Sequence, residues 1–206
     1  TFGDTKVAEA VSVPWAELRD GLWMLPCAFA QSDLLRAAYH LVRGTLFLPG
    51  LGPVASVPLC QLSKLASLGP DRRDIHDGFR LAKSSTSYPA FWGHDASAVL
   101  TLAQAPNGHL SPLPRAKRGR PLRRSTDLWP KAARLLIAER LRLNTQRLGV
   151  VRVEKPVLSN VWWPTALHRE SDEDEKALVL WLNSTLGFLV LLAHREETQG
   201  AWVAFK

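Results

Sequence analysis

Six of the ten residues in Arg115–Arg124, RAKRGRPLRR, are lysine or arginine, and none is acidic. Pro112, Pro114, Pro121 and Gly119 keep such a stretch out of a helix. Arg115, Lys117, Arg118, Arg120, Arg123 and Arg124 therefore fall on an extended loop. The chemistry open to that loop is electrostatic. Cations spaced along a non-helical backbone can follow phosphates and release counterions, which gives salt-dependent affinity for a polyanion. The plain alternative is a basic loop that meets only water.

Arg118-Gly119-Arg120-Pro121 also matches the core of an AT-hook. There the glycine keeps the backbone thin while flanking arginines enter a narrow A·T minor groove. A second cluster, Asp71-Arg72-Arg73-Asp74-Ile75-His76-Asp77, packs three carboxylates, two arginines and a histidine into seven residues. Asp74, His76 and Asp77 have the types needed for metal ligation or acid–base work. A solvated turn with local ion pairs is the plainer reading, and in a DNA-facing loop Arg72 and Arg73 are the useful members. Trp92-Gly93-His94-Asp95 and Trp162-Trp163 are aromatic pairs near loops. They suit base stacking or, more plainly, core anchoring, and Asn160 beside them carries an amide that could read adenine. The chain lacks the phosphate-binding loop G-x-x-x-x-G-K-[ST], the dinucleotide fingerprint G-x-G-x-x-G, the G-x-S-x-G elbow and the H-E-x-x-H zinc motif.

Leu128–Leu143 reads as the helix that positions the basic loop. Asp127 stands as its N-cap and Pro130 in its first turn. On such a helix Lys131, Arg134 and Arg142 fall within an ~80° sector, with Leu128, Ala132, Leu135, Leu136 and Leu143 on another. A second helix is expected over Gln31–Gly44, capped by Ser32 or Asp33 and stopped by Gly44. Its apolar positions are Leu34, Leu35, Ala38, Leu41 and Val42. A short helix opens near Trp15. Strands are expected at Thr45–Leu48, at Val57 leading into a helix that ends at Gly69, at Ala98–Leu102, and as a pair, Thr145–Val153 and Pro156–Trp163, joined at Glu154-Lys155. Pro70–Gly78 and Pro106–Gly108 read as turns.

Glu175–Arg195, EKALVLWLNSTLGFLVLLAHR, is the stretch the rest is organised around. Ser171 followed by Asp174 resembles a capping box, and the acidic segment Asp172–Glu175 suits a helix N-terminus. The run reads as a long helix buried on most sides, with Asn183–Gly187 as the place for a break. Ala177–Ala193 would reach ~25 Å, short for a membrane span and polar at its middle. Trp202–Lys206 follows as a strand.

The chain has 206 residues, 46% of them apolar, and a formal charge of +7. That is enough to fill a core, and the balance favours nucleic acid as a partner. Cys27 and Cys60 are too few for a zinc site or a disulfide framework and read as reduced buried thiols of a cytoplasmic protein. Thr1 is not an initiator methionine. One domain, 1–206, is expected as the C-terminal part of a longer protein, with 1–55 as a linker or helical lead-in. The fold expected is α+β, a mixed sheet of short strands with packed helices.

ALVLWLNSTLG, a charged turn and then Gly200–Lys206 resemble the C-terminal target-recognition domain of adenine-N6 DNA methyltransferases of restriction–modification and phage-defence systems. In that family an "LLNS"-type helix leads into a strand. Pro58–Gly78 and Leu128–Trp163 carry the rest of the resemblance, which spans about half of the chain. It implies a target-recognition architecture that binds double-stranded DNA beside an upstream methyltransferase domain of the same chain. That domain would hold S-adenosylmethionine and the Asn/Asp-Pro-Pro-Tyr/Phe motif, neither of which has a counterpart here; this part would be non-catalytic and cofactor-free. On charge and loop placement, the DNA-binding residues are Arg72, Arg73, Arg115, Lys117, Arg118, Arg120, Arg123, Arg124, Lys131 and Arg134. Two other classes fit the same residues. One is a protein-interaction module of a defence complex. The other is a small hydrolase or nuclease using Asp71, Asp74, His76 and Asp77.

Overall fold

The computed structural model describes residues 15–19, 32–93, 99–142, 148–169, 171–197 and 202–205. Its chain divides into two units, one built from Thr1–Cys60 with Leu189–Arg195 and the other from Gln61–Phe188 with Glu196–Lys206. The expected lead-in 1–55 falls in the first.

In the first unit, α1 (Trp15–Arg19) and α2 (Ser32–Leu41) are helical where expected. α2 buries Leu35, Ala38 and Leu41, while Leu34 stays exposed. Gly44 stops the turn after it at φ +79°, a backbone geometry that favours glycine. β1 (Thr45–Leu48) then pairs antiparallel with β2 (Gly52–Ser56). His40 of α2 stacks on Phe47 of β1, ring centroids 4.8 Å apart.

The second unit is a mixed sheet of short strands. They are β3 (Ala66–Leu68), β4 (Phe79–Leu81), β5 (Pro89–Phe91), β6 (Ala103–Gln104), β7 (Gly108–Pro112), β8 (Ala133–Ala138), β10 (Val150–Ser159) and β11 (Trp162–Leu167). The order is β3-β11-β8-β10-β5-β7-β4, with β6 also on β10. β10 runs parallel to β5 and β6 and antiparallel to β8. Helix α3 (Arg72–Gly78) and the single turn α4 (Ser125–Leu128) lie before β4 and β8. Ile75, Phe79, Ala90, Leu110, Leu128 and Leu158 form one buried cluster, with Tyr88, Trp92 and Trp129 packed against it. The fold is α+β.

Several elements differ from the sequence expectation. Leu128–Leu143 is not a helix. α4 passes through a 3-10 turn, Trp129–Lys131, into β8 and then β9 (Arg140–Arg142), which pairs with β13 (Trp202–Phe205); Leu143 lies outside the described residues, as do 144–147. Asp127 accordingly sits inside α4 and caps nothing longer. β8 lies between β11 and β10, so five of its six residues are buried and the apolar run shows no alternation. Pro70–Gly78 is largely helical. Val57–Gly69 carries only a 3-10 turn, Leu62–Lys64, before β3. Residues 99–102 form no strand; the strand there is β6. The expected pair joined at Glu154-Lys155 is one strand, β10, with a register shift between Arg152 and Val157; the chain passes through Asn160-Val161 to β11 on the far side of β8. Cys60 is exposed, not buried, and Cys27 lies outside the described residues.

The expected break is present. α5 (Asp172–Leu182) starts at Ser171, whose hydroxyl accepts from Asp174 N at 3.1 Å. The chain bends by 75° before α6 (Thr185–Ala193), and β12 (Arg195–Glu197) follows. Among the described residues no single helix is long and apolar enough to cross a membrane.

Candidate nucleic-acid interface

α3 owes its start to Asp71, whose side chain accepts from Asp74 N at 2.8 Å. Ile75, wholly buried, faces the cluster beneath; Arg72 and Arg73 remain exposed on the first turn. The basic loop runs over this helix. Leu113 N donates to Gly78 O at 2.9 Å, and Arg123 N donates to Asp77 O at 3.2 Å. Lys117 Nζ donates to His76 O. Arg120 Nη1 meets Asp77 Oδ1 at 3.3 Å, and Arg123 Nε meets Asp74 Oδ1 at 2.7 Å. A Cβ at Gly78 would lie 2.9 Å from Arg123 O, so the glycine permits the close approach. Ion pairs this open contribute only ~0–1 kcal/mol each. The backbone bonds at both ends fix the loop, and the pairs orient it.

The two charged clusters of the sequence therefore form one structure. Eight cations meet three carboxylates over residues 71–78 and 115–124. Arg120 and Arg123 are held by Asp77 and Asp74, while Arg72, Arg73, Arg115, Arg118 and Arg124 are exposed, with no carboxylate partner among the described residues. Gly119 turns the loop tip at φ +74° with open space around it. With Arg120 tied back to α3, the AT-hook geometry of two splayed arginines is not present.

Lys131 is exposed on its 3-10 turn. Arg134 belongs elsewhere. On β8, it pairs with Asp172 at 3.2 Å and Glu175 at 2.9 Å, and Arg152 of β10 shares both carboxylates. Without a helix over 128–143, the stripe of Lys131, Arg134 and Arg142 does not exist. The hydrogen bond from Lys176, together with Arg152 and Arg134, holds the Asp172 carboxyl below its usual range.

The residues considered for hydrolysis are otherwise engaged. Asp71 caps α3, and Asp74 and Asp77 hold arginines. Among the described residues no three His, Cys, Asp or Glu side chains are grouped to hold a metal. Trp162 is a core residue, edge-on to Phe91 at 5.8 Å. Asn160 Oδ1 accepts from Gly93 N at 2.8 Å, which fixes a loop. His94 and Asp95 lie outside the described residues.

His76 packs edge-on against Trp92 at 5.2 Å, and its Nε2 is buried with no hydrogen-bond partner. Burial lowers its pKa from 6.5, and the Arg72, Lys117 and Arg120 charges lower it further against the pull of Asp77. Because the folded value lies below the unfolded one, the unfolded chain takes up a proton first as pH falls below 6.5. Stability from this group is complete above 6.5 and is lost toward the folded value. Melting temperature should therefore fall between pH 7.5 and pH 5, and His76→Gln should reduce that fall. An unchanged pH slope in the variant would remove His76 as its source.

No protein-family model, curated protein or solved structure matches the chain.

Proposed function

We propose that this chain is a DNA-recognition domain that holds double-stranded DNA on the face built by α3 and the 113–124 loop. The observation that carries the reading is the docking of the loop onto α3, which gathers cations from two distant segments onto one ordered support. Arg72, Arg73, Arg115, Lys117, Arg118 and Arg124 would meet phosphates, while Arg120 and Arg123 hold the loop in register. Such contacts position a duplex and carry no sequence information themselves. On the resemblance, this role would belong to a cytoplasmic adenine-N6 methyltransferase of a restriction–modification or phage-defence system, whose upstream domain would hold S-adenosylmethionine and do the chemistry. Amide chemical-shift mapping with an unrelated-sequence duplex tests it. Perturbations should concentrate at 71–78 and 113–124; perturbations confined to other segments would contradict it.

A protein-interaction role has one observation of its own. β3 ends the sheet, and Leu65 and Leu68 are about half exposed there. Duplex-independent association through this edge, abolished by Leu68→Lys, would favour that reading.

A further inference from the structure

An open groove of ≈ 750 Å³ shares no residue with α3 or the 113–124 loop and is lined by the 85–89 loop, Ala105-Pro106, His109, Trp129 and Glu154-Lys155-Pro156. β10 slips register between Arg152 and Val157, and the three residues Glu154–Pro156 are exposed out of the ladder. Bulges of this kind re-aim side chains. The 85–89 loop and His109 are tied together. Thr86 Oγ1 donates to Leu110 O at 2.6 Å and accepts from Tyr88 N at 3.2 Å. His109 Nδ1 lies 3.0 Å from Thr86 O and 3.2 Å from Thr86 N, and its Nε2 lies 3.5 Å from Ser85 Oγ. The imidazole and the Thr86 and Ser85 hydroxyls are thus held in place before any ligand arrives.

Glu154 and Lys155 form no ion pair with any described residue. A simple anion would meet the carboxylate and a simple cation the ammonium. The set suits a ligand that has both a donor edge and an anionic group, with a flat apolar body for Trp129. The volume falls within the ~300–1,000 Å³ of small-ligand sites. We propose that this groove binds a nucleotide. Its base would lie against Trp129 with an amino or ring N–H donated to Glu154. Its phosphate would be held by Lys155 and the Ser85 and Ser87 hydroxyls. The nucleotide can be free or the end of a nucleic-acid strand, since the chemistry is shared.

The test is calorimetric titration of the full 206-residue chain with each of the four nucleoside 5′-monophosphates, and with inorganic phosphate and adenosine as the separate halves. Saturable binding is expected for at least one nucleotide, weaker binding for each half, and about a ten-fold loss of affinity in Lys155→Ala and in Glu154→Gln. Both substitutions are on exposed positions, and melting curves confirm that the variants fold. Displacement of the nucleotide by a 5′-phosphorylated oligonucleotide assigns a strand end; no displacement assigns a free nucleotide. Failure of all four nucleotides to saturate, or binding that both variants retain, overturns the proposal. An Arg118→Ser/Arg124→Ser variant should lose duplex affinity and keep nucleotide binding, so this site and the α3 face can fail separately.

Discussion

Gly187→Ala is expected to lower stability by about 3 kcal/mol or more. A Cβ at that position would lie 2.1 Å from Trp181 O and 2.6 Å from Leu182 Cα. Both are backbone atoms, so no side chain can rotate away to make room. The clash exists because the chain bends by 75° between α5 and α6, which brings the first turn of α6 against the last turn of α5. Ser184 stabilises the bend from both sides. Its hydroxyl donates to Trp181 O at 2.6 Å and accepts from Gly187 N at 3.1 Å. For a chain of this size the melting temperature should fall by roughly 6–12 °C. Gly119→Ala is the control, where open space surrounds the residue and only the left-handed backbone costs ~1–2 kcal/mol. If the two variants melt alike, the tight bend is wrong.

Asn183→Ala should cost ~2–4 kcal/mol through buried backbone groups left unsatisfied. The amide makes four bonds at once. Its oxygen accepts from Gly149 N at 3.0 Å and Val150 N at 3.3 Å, and its nitrogen donates to Val150 O at 2.7 Å and Val179 O at 2.8 Å. It thereby ties the end of α5 to the start of β10, where Val150 is wholly buried. Asn183→Asp keeps the acceptor and sets oxygen against two carbonyls, so it should be no better tolerated than alanine. Amide hydrogen exchange at Gly149 and Val150 gives the local reading, with protection lost in both variants. Retained protection and an unchanged melting temperature would contradict this tie between α5 and β10.

These two residues explain why the break between α5 and α6 was readable from sequence. Asn-Ser-Thr within an apolar run cannot be buried without partners, and a glycine four residues on marks a close approach. A break there follows from the residue types alone, as does the Ser171 cap. Gly44 stopping α2 belongs to the same kind of local signal.

What failed depended on distant partners. Ala133–Ala138, ARLLIA, is composed of good helix formers, but it is the strand between β11 and β10, and burial on both faces overrode propensity. Pro156 looked like a boundary between two strands and instead sits in the bulged part of one. α3 was hidden because Ile75 alone marks its apolar side, although Asp71 and Asp74 did supply a helix start. The cationic residues of α3 and the 113–124 loop were legible from composition. That Arg120 would be held by Asp77, 43 positions away, was not, and that pairing decides which cations face outward. The nucleotide groove left no sequence signal, because its residues come from five separate segments.

The most direct test of the central claim is duplex affinity across a salt series, read by fluorescence anisotropy. Three proteins are compared: the wild type, a variant with Arg72, Arg73, Arg115, Arg118 and Arg124 changed to Ser, and a variant with Arg134 changed to Ser. If the outward arginines sit on phosphates, the wild type should show a log–log salt slope of about −4 or steeper. The five-residue variant should be nearly flat, and the Arg134 variant should keep the wild-type slope. A slope that is shallow in the wild type, or that survives loss of the five arginines, would contradict the account.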